Sequence, residues 1–217
     1  MRYAHDELVI KSENAAQGWS RASQHLTSYL ESQPAHRRRM DFGCGKLRYS
    51  RLLAQSCDEI YLVDSKEQLT RTQRIGEQDI SIEQYTSNNW PHSVILEFET
   101  LVNSPPLNVD FILCSNVLSA IPSAETIKSA LEALHRNLSS SGTVLITNQH
   151  ANSYFKQMAF RSNAKKHLHG WILEKGNNST YYGIIDKTLC TEILENAGFS
   201  IEKSWISGQS NYILARS

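Results

Sequence analysis

Two periodicities run along this chain. Short apolar runs, Ile60-Tyr61-Leu62-Val63, Val109-Asp110-Phe111-Ile112-Leu113-Cys114 and Thr143 to Thr147, read as strands buried within a parallel sheet. Between and after them the spacing becomes helical. Tyr49, Leu52 and Leu53 share one face, as do Leu189, Ile193, Leu194 and Ala197, with Gly198 as a cap. The clearest helix runs from Ser123 to Leu138, started by Pro122 and Ser123, with Ile127, Leu131, Leu134 and Leu138 as its stripe and Gly142 just beyond. Strand and helix in alternation predict βαβ units and a parallel sheet.

The remaining segments are placed by the same rules. Trp19, Ala22, Leu26, Tyr29 and Leu30 predict an N-terminal helix that Pro34 ends. Residues 66 to 75 are polar without a breaker and read as an exposed helix. Ile80 to Tyr85 alternates and is rich in β-branched and aromatic residues, which predicts a strand. Residues 93 to 101 fit either element, and the alternation favours helix. Phe199 to Ile206 and Asn211 to Ala215 read as two strands around Ser207-Gly208-Gln209-Ser210.

The chemistry concentrates between Arg37 and Asp64. Met40-Asp41-Phe42-Gly43-Cys44-Gly45 reads as a strand running into a glycine turn, and Ile60 to Asp64 as the next strand, ending in an acid. Glycine permits a sharp turn and close approach of a ligand to the backbone. The following helix aims its first N–H groups over that turn. Asp64 lies 19 positions past Gly45, about where a βαβ nucleotide fold presents an acid to a ribose.

Asp41-x-Gly43-Cys44-Gly45 followed by Leu62-Val63-Asp64 resembles motifs I and II of the class I S-adenosylmethionine-dependent methyltransferases. The resemblance covers about residues 35 to 148 and 184 to 217. It implies an α/β fold: a doubly wound, mostly parallel seven-stranded sheet with one antiparallel strand and helices on both faces. It also implies S-adenosyl-L-methionine as cofactor, with Asp41, Gly43, Cys44 and Gly45 at the methionine end, Asp64 at the ribose hydroxyls and Ser65 among the cofactor-binding residues. Asn88 is the candidate facing the adenine, and Ser115 and Asn116 border cofactor and substrate. A dinucleotide oxidoreductase is the rival, but its third glycine falls on Arg48. The third glycine common in the methyltransferase pattern falls on Leu47, a departure from that pattern too.

A chain of 217 residues fits one domain with a sizeable core, with residues 1–34 as an N-terminal helical lid and 149–183 as a substrate-side insertion. Lys+Arg and Asp+Glu number 22 each, so nothing global demands a polyanionic partner. Arg37-Arg38-Arg39 reads as the solvated start of a strand. The four cysteines are scattered, without C-x-x-C, which favours reduced thiols in a cytoplasmic protein. No apolar run approaches a membrane span, and the start of the chain lacks the apolar core of a signal peptide.

Residues 149–183 hold five basic residues against one acid, Glu174, and six aromatics, among them Trp171, Tyr181 and Tyr182. They read as a cover that selects an anionic or aromatic acceptor, or as a solvated helix plus a hairpin strand capping the sheet. His150 is the candidate general base. His167-x-His169 lacks an evident third ligand, so no metal is expected. Asn103-Ser104-Pro105-Pro106 nearly matches a motif of base-amine methylation, but it precedes the strand at Val109 where that motif follows it. The reading is a methyltransferase acting on oxygen or nitrogen of a small molecule. An RNA methyltransferase using the basic insertion and a non-catalytic cofactor-binding regulator are the alternatives.

Overall fold

The computed structural model describes residues 2–5, 8–149, 157, 160–175 and 178–217. Strands β1 (Arg2–His5) and β2 (Leu8–Lys11) precede helix α1 (Gln24–Glu31). Then come β3 (His36–Phe42), α2 (Ser50–Ala54), β4 (Cys57–Asp64) and α3 (Lys66–Thr70). A hairpin of β5 (Gln73–Ile75) and β6 (Gln78–Ile80) leads to α4 (Ile82–Asn89), β7 (Ser93–Glu97) and α5 (Phe98–Asn103). Next are β8 (Val109–Ser115), α6 (Ala124–Asn137) and β9 (Leu138–Gln149). Beyond them lie β10 (Ala164–His167), β11 (Gly170–Lys175), β12 (Asn178–Gly183), α7 (Lys187–Asn196), β13 (Ser200–Ser207) and β14 (Ser210–Arg216).

Seven strands form the central sheet, in the order β13-β14-β9-β8-β3-β4-β7. From β9 to β7 every neighbouring pair is parallel, and β14 runs antiparallel to both β9 and β13. The apolar runs hide a period of two that serves two cores. Met40, Phe42, Ile112, Cys114, Val144 and Ile146 pack on one face with Leu131 and Leu134 of α6 and Leu194 of α7. Ile60, Leu62, Phe111, Leu113 and Leu145 pack on the other with Leu26 and Leu30 of α1 and Leu53 of α2. Strands covered on both faces have no polar side to show, hence the continuous runs.

Three assignments at the edge are corrected. Ile80 to Tyr85 is not a strand. Ser81 caps α4 by accepting the Gln84 N–H at 3.2 Å, a Ser-x-x-Gln start signal that outranks the β-branched composition. The edge strand is instead β7, and residues 93 to 101 divide into strand and helix at Phe98. The polar run 66–75 is helical only to Thr70.

The N-terminal segment is not one helix. The Trp19 indole N–H donates to the Leu47 carbonyl at 2.8 Å, and the Ser23 N–H to the Tyr49 hydroxyl at 2.9 Å. These ties hold residues 19–23 outside the helix that the spacing predicts, and α1 starts only at Gln24. The polar start of the chain forms the β1–β2 hairpin instead. It belongs to a second sheet, ordered β1-β2-β12-β11-β10, which β2 joins to β12 at Ile10 and Ser179. Of the basic run, only Arg37 is exposed. Arg38 pairs with Glu59 at 3.2 Å, while Arg39 is fully buried, donating to the Pro34 carbonyl at 2.6 Å.

Leu47 shows what became of the missing third glycine. Its φ is +59°, in the left-handed region, and its side chain is fully buried in the core on the α1 and α2 face. The backbone keeps the conformation a glycine would favour, and the burial of a leucine offsets the strain of about 1–2 kcal/mol. Leu47→Ala retains that strain while losing about 2–5 kcal/mol of packing. Leu47→Gly loses the packing but relieves the strain, so it should be at least as stable as Leu47→Ala. At Leu53, inside α2, the order should reverse by about 1 kcal/mol. Denaturant unfolding of the four variants checks this, and an alanine variant more stable than glycine at position 47 would refute the strain.

Candidate functional site

The parallel strands β3, β4 and β8 end together where β3 has β4 on one side and β8 on the other. That is the switch point at which open α/β sheets bind ligands. Past Phe42 the chain turns through Gly43 (φ +73°) and Gly45 (φ +57°). The Gly43 and Cys44 amides donate to the Val63 carbonyl at 2.8 and 3.1 Å. A Cβ at Gly43 would lie 2.3 Å from Val117 Cγ2, so the turn leaves no room for a side chain there.

The Asp64 carboxylate, at the end of β4, fixes this turn from below. Oδ2 accepts the Gly45 N–H and Oδ1 the Ser65 N–H, each at 2.8 Å. Gln68, buried on α3, donates its amide to the Gly45 carbonyl and to Gln73 Oε1, the latter at 2.8 Å. Its own Oε1 is buried and has no hydrogen-bond partner among the described residues. Asn116, at φ +58°, donates its backbone N–H to Thr147, and its side-chain Oδ1 is likewise buried and unpaired.

Two carboxyl groups share this space. Burial pushes Asp41 up to about 7; a hydrogen bond from Ser50 opposes the rise, and the Asp64 charge adds to it. Burial also raises Asp64, against the two backbone N–H groups that favour its ionised form. The Cys44 thiol is pushed well above its usual range by burial and is no nucleophile.

Asp41, Gly43, Cys44, Gly45, Asp64, Ser65, Ser115 and Asn116 all line one cavity. Asn88 does not. It sits exposed on α4, because the strand expected to present it is a helix. His150 lies outside the described residues. His167 Nε2 hydrogen-bonds to the Pro122 carbonyl at 2.7 Å. The sequence reading missed Gln68, which sat in a run read as exposed, and Phe98, which follows β7 directly. It also missed Tyr3 and Glu13, which the N-terminal strands bring over the turn. Two further cavities, of about 350 and 500 Å³, open beside the first and share Arg48 and Asn116 with it.

These residues suit S-adenosylmethionine. The unpaired acceptors of Gln68 and Asn116 await donors, the glycine turn admits close approach, and buried carboxyls favour a cationic ligand.

A family model for a methyltransferase domain matches residues 14–204. The uncharacterized protein YmfD of Escherichia coli K12 is 39% identical over 213 residues, covering 98% of this chain and 95% of YmfD. Among solved structures, an S-adenosylmethionine-dependent methyltransferase from Clostridium acetobutylicum superposes with a TM-score of 0.64 at 13% identity, covering 94% of this chain and 93% of that one. The 1,6-didemethyltoxoflavin-N1-methyltransferase of Burkholderia thailandensis, solved with its substrate and S-adenosylhomocysteine, gives 0.62 at 13%, covering 91% and 80%. At such identities the likeness to solved structures is one of fold.

Asp41 makes the ligand-free protein sensitive to pH. A carboxyl raised in the folded state binds its proton more tightly there than in the unfolded chain. Its contribution is complete below the unfolded value near 4 and is lost as pH rises through about 7. The melting temperature of the ligand-free protein should therefore fall between pH 5 and 8, and Asp41→Asn should flatten the slope. Asp64, raised as well, leaves a remainder. An identical slope in wild type and variant would contradict the assignment.

Proposed function

The chain belongs to the methyltransferase-domain family, and on that footing we propose that it transfers the methyl group of S-adenosylmethionine to oxygen or nitrogen of a small molecule. The observation that carries the cofactor reading is Asp64. Each carboxylate oxygen accepts one backbone N–H, Oδ2 that of Gly45 in the turn and Oδ1 that of the adjacent Ser65, and each keeps acceptor capacity for a hydroxyl. On this reading Asp64 takes the ribose hydroxyls and the Gly43–Gly45 turn cradles the methionine end. Asp41 supplies negative charge beside the sulfonium, and Gln68 Oε1 accepts a donor from the nucleoside half.

The cofactor brings an already activated methyl group, so position supplies much of the remaining barrier reduction. Asn116 stands where the cofactor cavity meets the other two and orients what lies between. Gln149 lines both neighbouring cavities. His150 follows it in the chain and is our candidate for taking a proton from the acceptor. Cavities of 350 and 500 Å³ suit a small molecule better than a polynucleotide. Of the insertion's basic residues, Lys165 and Lys166 are on β10 and line none of these three cavities, and Lys165 pairs with Glu174 at 2.9 Å. No helix among the described residues is long and apolar enough to cross a membrane. The four cysteines are all free, which fits our placement of the protein in the reducing cytoplasm.

S-adenosylmethionine and S-adenosylhomocysteine, each at a hundredfold excess over its dissociation constant, should raise the melting temperature by about 5–10 °C, and NAD should not. A shift with NAD alone would overturn the reading.

Asp64→Ala should weaken cofactor binding about 10–100-fold in calorimetric titration. It should also destabilise the ligand-free protein by about 1–3 kcal/mol, because the Gly45 amide of the turn and the Ser65 amide at the start of α3 lose their acceptor. Unchanged affinity in a folded variant would remove Asp64 from the ribose.

A further inference from the structure

The cofactor cavity and its two neighbours carry opposite charge. Glu13, Asp41 and Asp64 line the first. Among the described residues no carboxylate lines either of the others, and Arg21 and Arg48 line both. Arg48 makes one side-chain hydrogen bond among the described residues, and its charge also reaches the buried Asp41. Its Nε donates to the Gln17 carbonyl at 3.3 Å, and its guanidinium lies 5.8 Å from the centre of the Tyr49 ring. Its remaining N–H groups have no protein acceptor among the described residues. Arg21, exposed at the end of the turn Trp19–Arg21, has no ion-pair partner among them either. Four other arginines pair with carboxylates, Arg2 with Glu13, Arg38 with Glu59, Arg74 with Asp79 and Arg216 with Glu202, while Arg39, Arg71 and Arg136 donate to backbone carbonyls.

A planar guanidinium with its fork of donors open matches a carboxylate or phosphate group, and a cationic ligand would meet two like charges here. The rest of the larger cavity's described lining is neutral: Ser119, Asn116, Gln149 and Gln209 offer hydrogen bonds, and the half-buried Tyr182 of β12 offers apolar surface, while Tyr181, next to it on the strand, is turned into the core with Ile10 and Ile172. The basic side chains of β10 that the sequence suggested for this task do not line it.

We propose that the methyl acceptor carries a carboxylate or phosphate group held by Arg48 and Arg21, with the acceptor's body against Tyr182. This rests on the methyltransferase reading and names the substrate class for the same site. The positive charge that selects the acceptor comes from the first crossover and the N-terminal turn. The insertion contributes one aromatic side chain.

The test is calorimetric titration of the protein saturated with S-adenosylhomocysteine, using phenyl phosphate and benzoate as anionic probes and benzamide as the neutral one. At low ionic strength at least one anion should bind about tenfold or more tighter than benzamide, and the preference should shrink as salt screens the exposed Arg21. Arg48→Gln should weaken the anion about tenfold or more, and Arg48→Lys less. Arg21→Gln should weaken it about threefold. Affinity for S-adenosylhomocysteine in Arg21→Gln reports that the variant is folded, because Arg21 does not line the cofactor cavity. Equal binding of benzamide and both anions would overturn the proposal, as would anion binding indifferent to both arginines. Those outcomes, with S-adenosylhomocysteine still bound, would leave the methyltransferase reading standing. No binding of S-adenosylhomocysteine by the wild-type protein would overturn both.

Discussion

Two hydrogen bonds to one carboxylate hold this site together. Asp64 gathers the Gly45 and Ser65 amides, so the end of β4 fixes the turn that leaves β3. Without that acceptor the turn would present unpaired N–H groups to a buried space, where each costs as much as a lost hydrogen bond. Gln68 completes the hold from the other side through the Gly45 carbonyl. The same carboxylate that holds the turn also lines the cavity.

The parts of the fold legible in the sequence are those governed by local rules. Buried parallel strands must be apolar on both faces, and β4, β8 and β9 announced themselves that way. The stripe of α6 was plain because its face meets a single core. What misled was competition from contacts distant in sequence. Trp19 and Ser23 leave a helical pattern because Leu47 and Tyr49 offer them partners. Ile80 to Tyr85 was judged by composition, although Ser81 with Gln84 three residues later marked a helix start. Once the edge strand was misplaced, Asn88 was misplaced with it and Phe98 went unnoticed.

Within the site, the motif residues that meet at one cavity were readable from spacing: the glycine turn and the acid at the end of the next strand. Gln68 was not, since nothing in a polar run distinguishes a buried glutamine from exposed ones. The letter pattern also concealed a conformation. Position 47 lacks the expected glycine yet has a left-handed backbone, which the letter leucine does not announce.

The second sheet brings together two segments from opposite parts of the chain. Its β1 carries Tyr3 over the cofactor cavity, and its β12 carries Tyr181 and Tyr182 along the larger neighbouring cavity. The two ligand spaces thus have a wall in common, built on one hydrogen-bonded framework. A displacement of that framework against the central sheet changes both spaces together, so neither can be reshaped as an independent module. Exchanging the 149–183 segment for that of a relative, to alter what the protein accepts, would leave β12 facing a foreign β2. The first eleven residues would have to travel with it.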